Sequence, residues 1–370
     1  HGKTTMAPAI WRRQLAAGAW GLTVANAHQL KVAWAFGVPR VQVANALVGK
    51  VGLDLAQSMV AAGTRVVVWA DSAATARLVQ SQLDPQGPPL EVLVELGAAG
   101  GRTGARTPRA ALEAARTIQA APGLRLAGVA GYEGALSHGR GPEDLQRLTD
   151  YLDALLDLHR HFSQGGFYQS DQVILTAGGS AYPDLVARQL APALQLTAKP
   201  RTTVLLRCGA YVIHDDGFYR GISPLAQPSP DRPSAAGPGA APTAPDDPGS
   251  PGRLRSAMHG WAAVISRPEP GLALLDGGKR DFSFDEGLPE PQWAMASGRR
   301  RGLGQATVTA MNDQHTFLRL PPGDPLAVGD TVRLGLSHPC TALDKWRLVP
   351  VVSSADAPNP QVTELVATFF

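Results

Sequence analysis

Along the first 215 residues, short β-branched runs alternate with longer segments whose apolar positions repeat at helical spacing. The short runs are GLTVAN (21–26), RVQVANAL (40–47), RVVVWAD (65–71), EVLVELG (91–97), LRLAGVAGYEG (124–134), DQVILTAGG (171–179) and TTVLLRCGAY (202–211). Between them, 7–18, 27–37, 50–62, 72–84, 107–120 and 143–162 are rich in Ala, Leu, Gln and Arg. In the last of these, Leu145, Leu148, Leu152, Leu155, Leu156 and His159 fall on one helical face. Such alternation predicts an α/β fold whose parallel strands are buried on both faces. Seven strands are visible and the chain opens on a loop leading into a helix. One further strand upstream of His1 completes eight strand-helix units, so the expectation is a (β/α)8 TIM-type barrel with its first strand missing. An open doubly wound sheet is the alternative. No G-x-G-x-x-G closes the first visible strand, which disfavours a Rossmann dinucleotide site.

The rhythm stops at QPSPDRPSAAGPGAAPTAPDDPGSPG (227–252), where 8 prolines and 4 glycines in 26 residues leave too little apolar material for a core. Beyond it, WAAVISRP, LALLDGGK, QATVTAMND, HTFLRL and DTVRLGL are short, β-rich and separated by Gly and Pro, which predicts a smaller antiparallel β domain. LAVGDTVRL reads as a hairpin-like turn into its last strands. The expected division is a barrel over 1–221, a linker or loop insertion over 222–256, and a C-terminal β domain over 257–370.

Composition narrows the partners. A net charge of +3 over 370 residues, without a basic block, argues against a nucleic-acid binder. No apolar run reaches the roughly 18 residues of a membrane helix. The only cysteines, Cys208 and Cys340, lie far apart, which argues against a disulfide framework and for a reducing, cytoplasmic setting.

In a strand-helix barrel the reactive groups sit where strands run out into loops. Lys3, one of only 6 lysines among 34 basic residues, lies in HGKTT after the missing strand. Its two readings are a solvated charge near the chain start and a reactive amine. Arg102 is presented by glycines in GGRTG. Tyr132 lies in GYEG, with His138 six residues on; by themselves, a core phenol and a surface histidine are the ordinary readings of both. TAGGSAY (176–182) is a small-residue strand-to-helix loop whose amides and hydroxyls, from Thr176 to Ser180, suit either a tight turn or a phosphate cradle. GAY (209–211) is its neighbour at the end of the last strand.

The β domain holds the sharpest metal signal. In SHPCTALDKW (337–346), His338 and Cys340 are separated by one residue, so an extended segment points both to one face and suits zinc with open coordination positions. The plainer reading is a buried thiol beside a hydrogen-bonded loop histidine. LLDGGKRDFSFDEGLP (274–289) is a dense charged run, read as a turn or as a substrate-facing or interface loop.

Taken in order, HGKTTMAP, ELGAAGGRTGAR, GYEGALSH, LTAGGSAY, LLRCGAYVIHDD, LLDGGKRDFSFDEGLP and SHPCTALDKW resemble the D-serine dehydratase and D-threonine aldolase-like family, pyridoxal-phosphate enzymes with an alanine-racemase-type barrel followed by a β domain. The resemblance spans the chain apart from the linker. It implies that Lys3 is the Schiff-base lysine and, with Tyr132, catalytic. It implies that Arg102 stands near the cofactor's phenolic oxygen, that Tyr132 contacts its ring, and that Thr176, Gly178, Gly179, Ser180 and Tyr211 hold its phosphate. It makes His338 and Cys340 the ligands of Zn²⁺ or another divalent metal. Dehydratases of the family typically carry His-x-Cys there and aldolases His-x-Asp, so Cys340 favours the dehydratase branch. Pro339 and the following TALDKW depart from the better-known members. The expected activity is a lyase that deaminates D-serine or a related β-hydroxy D-amino acid, in a homodimer, with no nucleic acid or membrane partner. D-threonine aldolase-type cleavage and a non-catalytic pyridoxal-phosphate-binding protein are the alternatives.

Overall fold

The computed structural model describes residues 1–196, 200–225, 254–296, 298–357 and 360–370. They form two compact units, His1–Gly209 with Phe369–Phe370, and Ala210–Thr368. Residues 210–221, expected with the barrel, therefore group with the second unit. Of the expected linker over 222–256, residues 226–253 lie outside the described residues.

The first unit contains seven strands in one sheet: β1 Leu22–Val24, β2 Arg40–Ala46, β3 Arg65–Ala70, β4 Leu90–Leu96, β5 Leu124–Gly131, β6 Gln172–Ala177 and β7 Arg201–Leu206. They are ordered as in sequence, and every adjacent pair is parallel. This is the strand order expected of the barrel, with seven of its eight expected strands. Val66–Ala70 and Val92–Leu96 are buried throughout, as a sheet covered on both faces requires. β7 stands at one edge and is only half-buried.

Helices separate the strands: α1 Pro8–Ala16, α2 Ala27–Ala35, α3 Lys50–Ala61, α4 Ala73–Gln82, α5 Pro108–Ala120, α6 Pro142–Gln164 and α7 Pro183–Leu190. Their starts are local in origin. Asn26, Ser72 and Thr107 cap α2, α4 and α5 by accepting an amide hydrogen bond, and Pro opens α1, α5, α6 and α7. α6 buries Leu148, Leu152, Leu155, Leu156 and His159, while Leu145 is half-buried near its start. The His159 ring bridges Tyr168 Oη (2.7 Å) and Thr202 Oγ1 (3.0 Å), so this apolar face accommodates a histidine with both nitrogens satisfied.

The second unit begins with the 3₁₀ turn Ala210–Val212 and the short α8 Phe218–Ile222. Its main sheet is antiparallel, in the order β11-β10-β14-β8-β9-β13-β12. The ranges are β8 His259–Glu269, β9 Leu272–Leu275, β10 Glu290–Ala296, β11 Arg299–Gly302, β12 Thr307–Met311, β13 Thr316–Arg319 and β14 Thr331–Gly335. A separate hairpin joins β15 Leu348–Val352 to β16 Val362–Ala367. The core is apolar, with Val264, Leu275, Leu318, Val332 and Leu334 fully buried. The turn in LAVGDTVRL does enter β14, but β14 pairs with β8 and β10, so it makes no hairpin. β10, β11, β15 and β16 were not foreseen; arginines and prolines obscure their alternation. Among the described residues, no helix is long and apolar enough to cross a membrane.

Candidate active site and metal centre

In the first unit, the loops leaving the strand ends converge. Gly2–Thr4 form a single 3₁₀ turn, with the Gly2 carbonyl accepting from Trp11 Nε1 (3.3 Å) and from the Met6 amide (2.9 Å). Met6 adopts a left-handed φ of 39° and is fully buried, so this loop is held under backbone strain. The His1 main-chain nitrogen donates to Cys208 O (2.6 Å), and a Cβ on Gly209 would collide with Thr4 and His1. Glycine at 209 thus permits the close approach of the lysine loop to the end of β7. The Gly209 amide donates to Ser180 Oγ (3.1 Å), and the Cys208 thiol to Gly179 O (3.1 Å). A Cβ on Gly178 would strike the Tyr132 ring, and the Arg102 guanidinium lies 4.9 Å from the centroid of that ring. Lys3, Ser180, the Gly178–Gly179 pair, Tyr132 and Arg102 are therefore linked through one cluster of loops. Lys3 is half-buried, and its amine makes no hydrogen bond or ion pair with any described residue.

A buried charged network, absent from the sequence reading, supports this cluster. The Glu133 carboxylate accepts from the amides of Gly178 (2.9 Å) and Gly179 (2.5 Å) and is wholly buried. Burial pushes its pKa up, opposed by those backbone hydrogen bonds and by Arg207. Arg207 donates to Thr176 Oγ1 (2.8 Å) and Gly131 O (2.5 Å), and its guanidinium lies 4.7 Å from the Trp69 ring centroid. Glu95, raised by burial and eased by a hydrogen bond from Thr103 (2.8 Å), lines a small cavity with Arg102 and Tyr132. Tyr151 donates to Leu96 O (2.7 Å) and accepts from the Tyr132 amide (2.9 Å), anchoring the GYEG loop. Glu133 and Arg207 stand inside GYEG and LLRCGAY; a charge within an apolar strand-end run is the signal that marks them.

The network redirects part of the expected phosphate cradle. Thr176 Oγ1 donates to Leu205 O (2.8 Å) while accepting from Arg207, and the Gly178 and Gly179 amides already hold a carboxylate. Ser180 is half-buried, its Oγ accepting from the Gly209 amide. Tyr211 belongs to the second unit, in the 3₁₀ turn Ala210–Val212, and is exposed. His138 is exposed on the loop after Tyr132. The half-buried Lys3 amine, with Arg102, Tyr132 and Ser180 in the same loop cluster, fits a phosphate-bearing aldehyde cofactor.

In the second unit, His338 has a left-handed φ of 59°, costly for a residue with a Cβ. Asp215 explains how that is maintained: its Oδ2 accepts from the His338 amide (3.0 Å) and its Oδ1 from the Arg220 amide (3.0 Å). Ser337 beside it donates to Glu286 O (2.8 Å) and accepts from the Phe218 amide (3.3 Å). The imidazole Nδ1 lies 2.6 Å from Asp285 Oδ2, and Thr341 donates to the other carboxylate oxygen (2.7 Å). A hydrogen bond with the Cys340 side chain is the main cause that lifts the His338 pKa to about 9; burial opposes it and Asp285 adds to it. Burial works against the Asp285 carboxylate too, but hydrogen bonds from Thr341 and His338 prevail and hold it below its ordinary range. An imidazole and a thiol within hydrogen-bonding reach fit a borderline-soft divalent ion. Among the described residues, no group of three or more His, Cys, Asp and Glu gathers around one point. Among the described residues, the candidate donor set here is the His338–Cys340 pair.

Comparison with known proteins agrees with this two-part layout. Residues 2–169 match the family described as "Alanine racemase, N-terminal domain", and 257–352 the family described as "Putative serine dehydratase domain". A D-threonine aldolase of Arthrobacter sp is 24% identical over 341 residues, 91% of this chain and 77% of the relative. The structure of D-threonine aldolase from Filomicrobium marinum aligns with a TM-score of 0.76 at 22% identity, over 100% of this chain and 86% of its own. That of D-threo-3-hydroxyaspartate dehydratase from Delftia sp. HT23 aligns at 0.72 and 20% identity, over 99% and 88%. At such identities the structural likeness establishes the fold.

Proposed function

The chain belongs to the D-serine dehydratase/D-threonine aldolase-like family of alanine-racemase-type proteins, and from that premise we propose that it is a pyridoxal-phosphate-dependent lyase that deaminates D-serine or a related β-hydroxy D-amino acid. The observation that carries this reading is the His338–Cys340 pair, held by carboxylates on a strained loop of the domain that matches the serine dehydratase family. Lys3 and Ser180 would hold the cofactor, with Arg102 and Tyr132 beside it. When bound, pyridoxal phosphate supplies an electron sink for charge developing at the substrate Cα. A divalent ion on His338 and Cys340 would supply Lewis acidity toward a β-hydroxyl oxygen.

The chain's own residues contribute proton transfer and orientation. The Lys3 amine, half-buried in the loop cluster, would be the base that takes the Cα proton. Arg102 keeps a fixed positive charge over the Tyr132 ring, and the buried Glu133–Arg207 network keeps the loop under that ring from shifting. For D-serine the products are pyruvate and ammonia. The D-threonine aldolases among the relatives favour a second reading, cleavage of the Cα–Cβ bond. Incubation of the loaded enzyme with D-serine and with D-threonine separates the two. A 2-oxo acid with ammonia supports the dehydratase; glycine with acetaldehyde replaces it by the aldolase; neither, from a protein with bound cofactor and metal, overturns the lyase assignment.

A further inference from the structure

The His338 loop is held by more groups than a pair of metal donors requires. Nδ1 of the ring is engaged by Asp285 at 2.6 Å, and the far oxygen of that carboxylate is itself fixed by Thr341 at 2.7 Å. The hydroxyl of Thr341 thus faces the carboxylate that faces the ring, three side chains in series across 56 residues of sequence. Asp285 comes from the charged run 274–289, to which the proposed reaction assigns no part. The run is anchored on both sides: the Ser283 hydroxyl donates to Ser337 O, and the Glu286 carbonyl accepts from Ser337 Oγ (2.8 Å). Asp285 is therefore delivered to His338 by a rigid double contact between its own segment and the segment preceding the histidine.

We propose that Asp285 is a positioning residue for the metal centre: by accepting the Nδ1–H hydrogen bond it fixes the His338 ring and leaves Nε2 as the nitrogen offered to a divalent cation beside Cys340. The inference rests on the functional reading above and deepens it. A neutral imidazole has one donor and one acceptor nitrogen. A carboxylate on Nδ1 selects the tautomer with the lone pair on Nε2 and raises its basicity, the role outer partners commonly play for metal-bound histidines. Asp285 is not itself counted as a ligand, because no three-residue donor group forms among the described residues.

The test uses the full chain loaded with pyridoxal phosphate, stripped of metal by a chelator and titrated with Zn²⁺ against a chromophoric competitor. Asp285→Ala should weaken zinc binding 10- to 100-fold. Asp285→Glu and Asp285→Asn should recover part of that loss, since each keeps an oxygen acceptor near Nδ1. Co²⁺ at saturation should give the same thiolate-to-metal absorption in Asp285→Ala as in the parent, because the donor atoms are unchanged. Zinc affinity within twofold of the parent in Asp285→Ala overturns the inference. So does a loss as complete as in His338→Ala, or a changed cobalt spectrum, either of which would make Asp285 a ligand. If Asp285→Ala does not fold, Asp285→Leu, which keeps side-chain bulk without an acceptor, decides by the same twofold criterion. A parent that binds no zinc overturns the metal part of the functional reading as well, whereas an unaffected Asp285→Ala in a zinc-binding parent removes this inference alone.

Discussion

The two units hold their functional groups by opposite means. In the first, the carboxylates turn inward: Glu133 binds backbone amides, Glu95 binds Thr103, and Arg207 is sealed beneath them, while the Lys3 amine has no side-chain partner. In the second, carboxylates grip the functional residue directly, Asp215 by its amide and Asp285 by its ring. Their histidines differ likewise. His159 is buried and held neutral, its pKa lowered by burial to about 4, whereas His338 is raised to about 9 by Cys340 and Asp285. A nucleophilic amine needs an uncommitted lone pair and a loop that stays put. A metal-binding imidazole needs a fixed ring. The same residue type, a carboxylate, meets the first need by fixing the surrounding loops and leaving the amine alone, and the second by holding the histidine itself, at its amide and at its ring.

The comparison breaks first at Lys3. Lys3→Ala should lower the deamination rate by about 10³-fold or more and abolish the absorbance of stably bound cofactor. With both proteins free of cofactor, its unfolding midpoint should match the parent, because the amine makes no hydrogen bond or ion pair with a described residue. A cofactor band that survives the substitution would remove Lys3 from its role. Glu133→Ala should act through stability instead. It strands two buried amides and removes the carboxylate whose charge most favours the buried Arg207, which costs about 3 kcal/mol. Urea denaturation measures the loss, and a change below about 1 kcal/mol would mean that the carboxylate carries no such load.

These two sites were unequally legible in the sequence. The seven parallel strands and six of the seven large helices follow from periodicity, since buried parallel strands and amphipathic helices repeat differently. α7 escaped because PDLVARQL spans only two turns behind the small-residue loop. Lys3, Arg102 and Tyr132 stood out as polar residues among glycines at strand ends. The anion on the Gly178 and Gly179 amides did not, because Glu133 comes from the loop after another strand, 45 residues earlier. Asp285 lay in a run already marked as charged, yet its pairing with His338 depends on a three-dimensional contact no spacing encodes. The left-handed backbone of His338 is equally invisible, as nothing in SHPC announces it.

His159 gives a smaller and pH-dependent effect. A buried imidazole held near about 4, against an ordinary value near 6.5, takes up its proton more readily once unfolded. Its contribution is complete above the unfolded value and declines as pH falls from about 6.5 toward 4. At pH 5 the parent should have lost about 2 kcal/mol relative to pH 7 through this group. His159→Gln should lack that slope, so the stability gap between parent and variant should narrow on acidification. A gap that stays constant from pH 7 to pH 5 would mean the imidazole is not held neutral.

The smallest expected effect tests the grip on the metal-binding loop. In Asp215→Asn one side-chain oxygen still accepts an amide, but the new NH₂ must face the second N–H, that of either His338 or Arg220. Two donors then oppose each other in a buried position, which costs about 1 kcal/mol. The consequence should be local, because the left-handed φ of His338 persists only while its amide is held. Thermal unfolding should fall modestly, and zinc affinity should weaken by less than in Asp285→Ala, since the ring contact with Asp285 remains. Equal affinity losses in the two variants would show that the backbone clamp and the ring clamp act as one unit, and the distinction between holding a loop and holding a ring would then hold only between the units, not within the second.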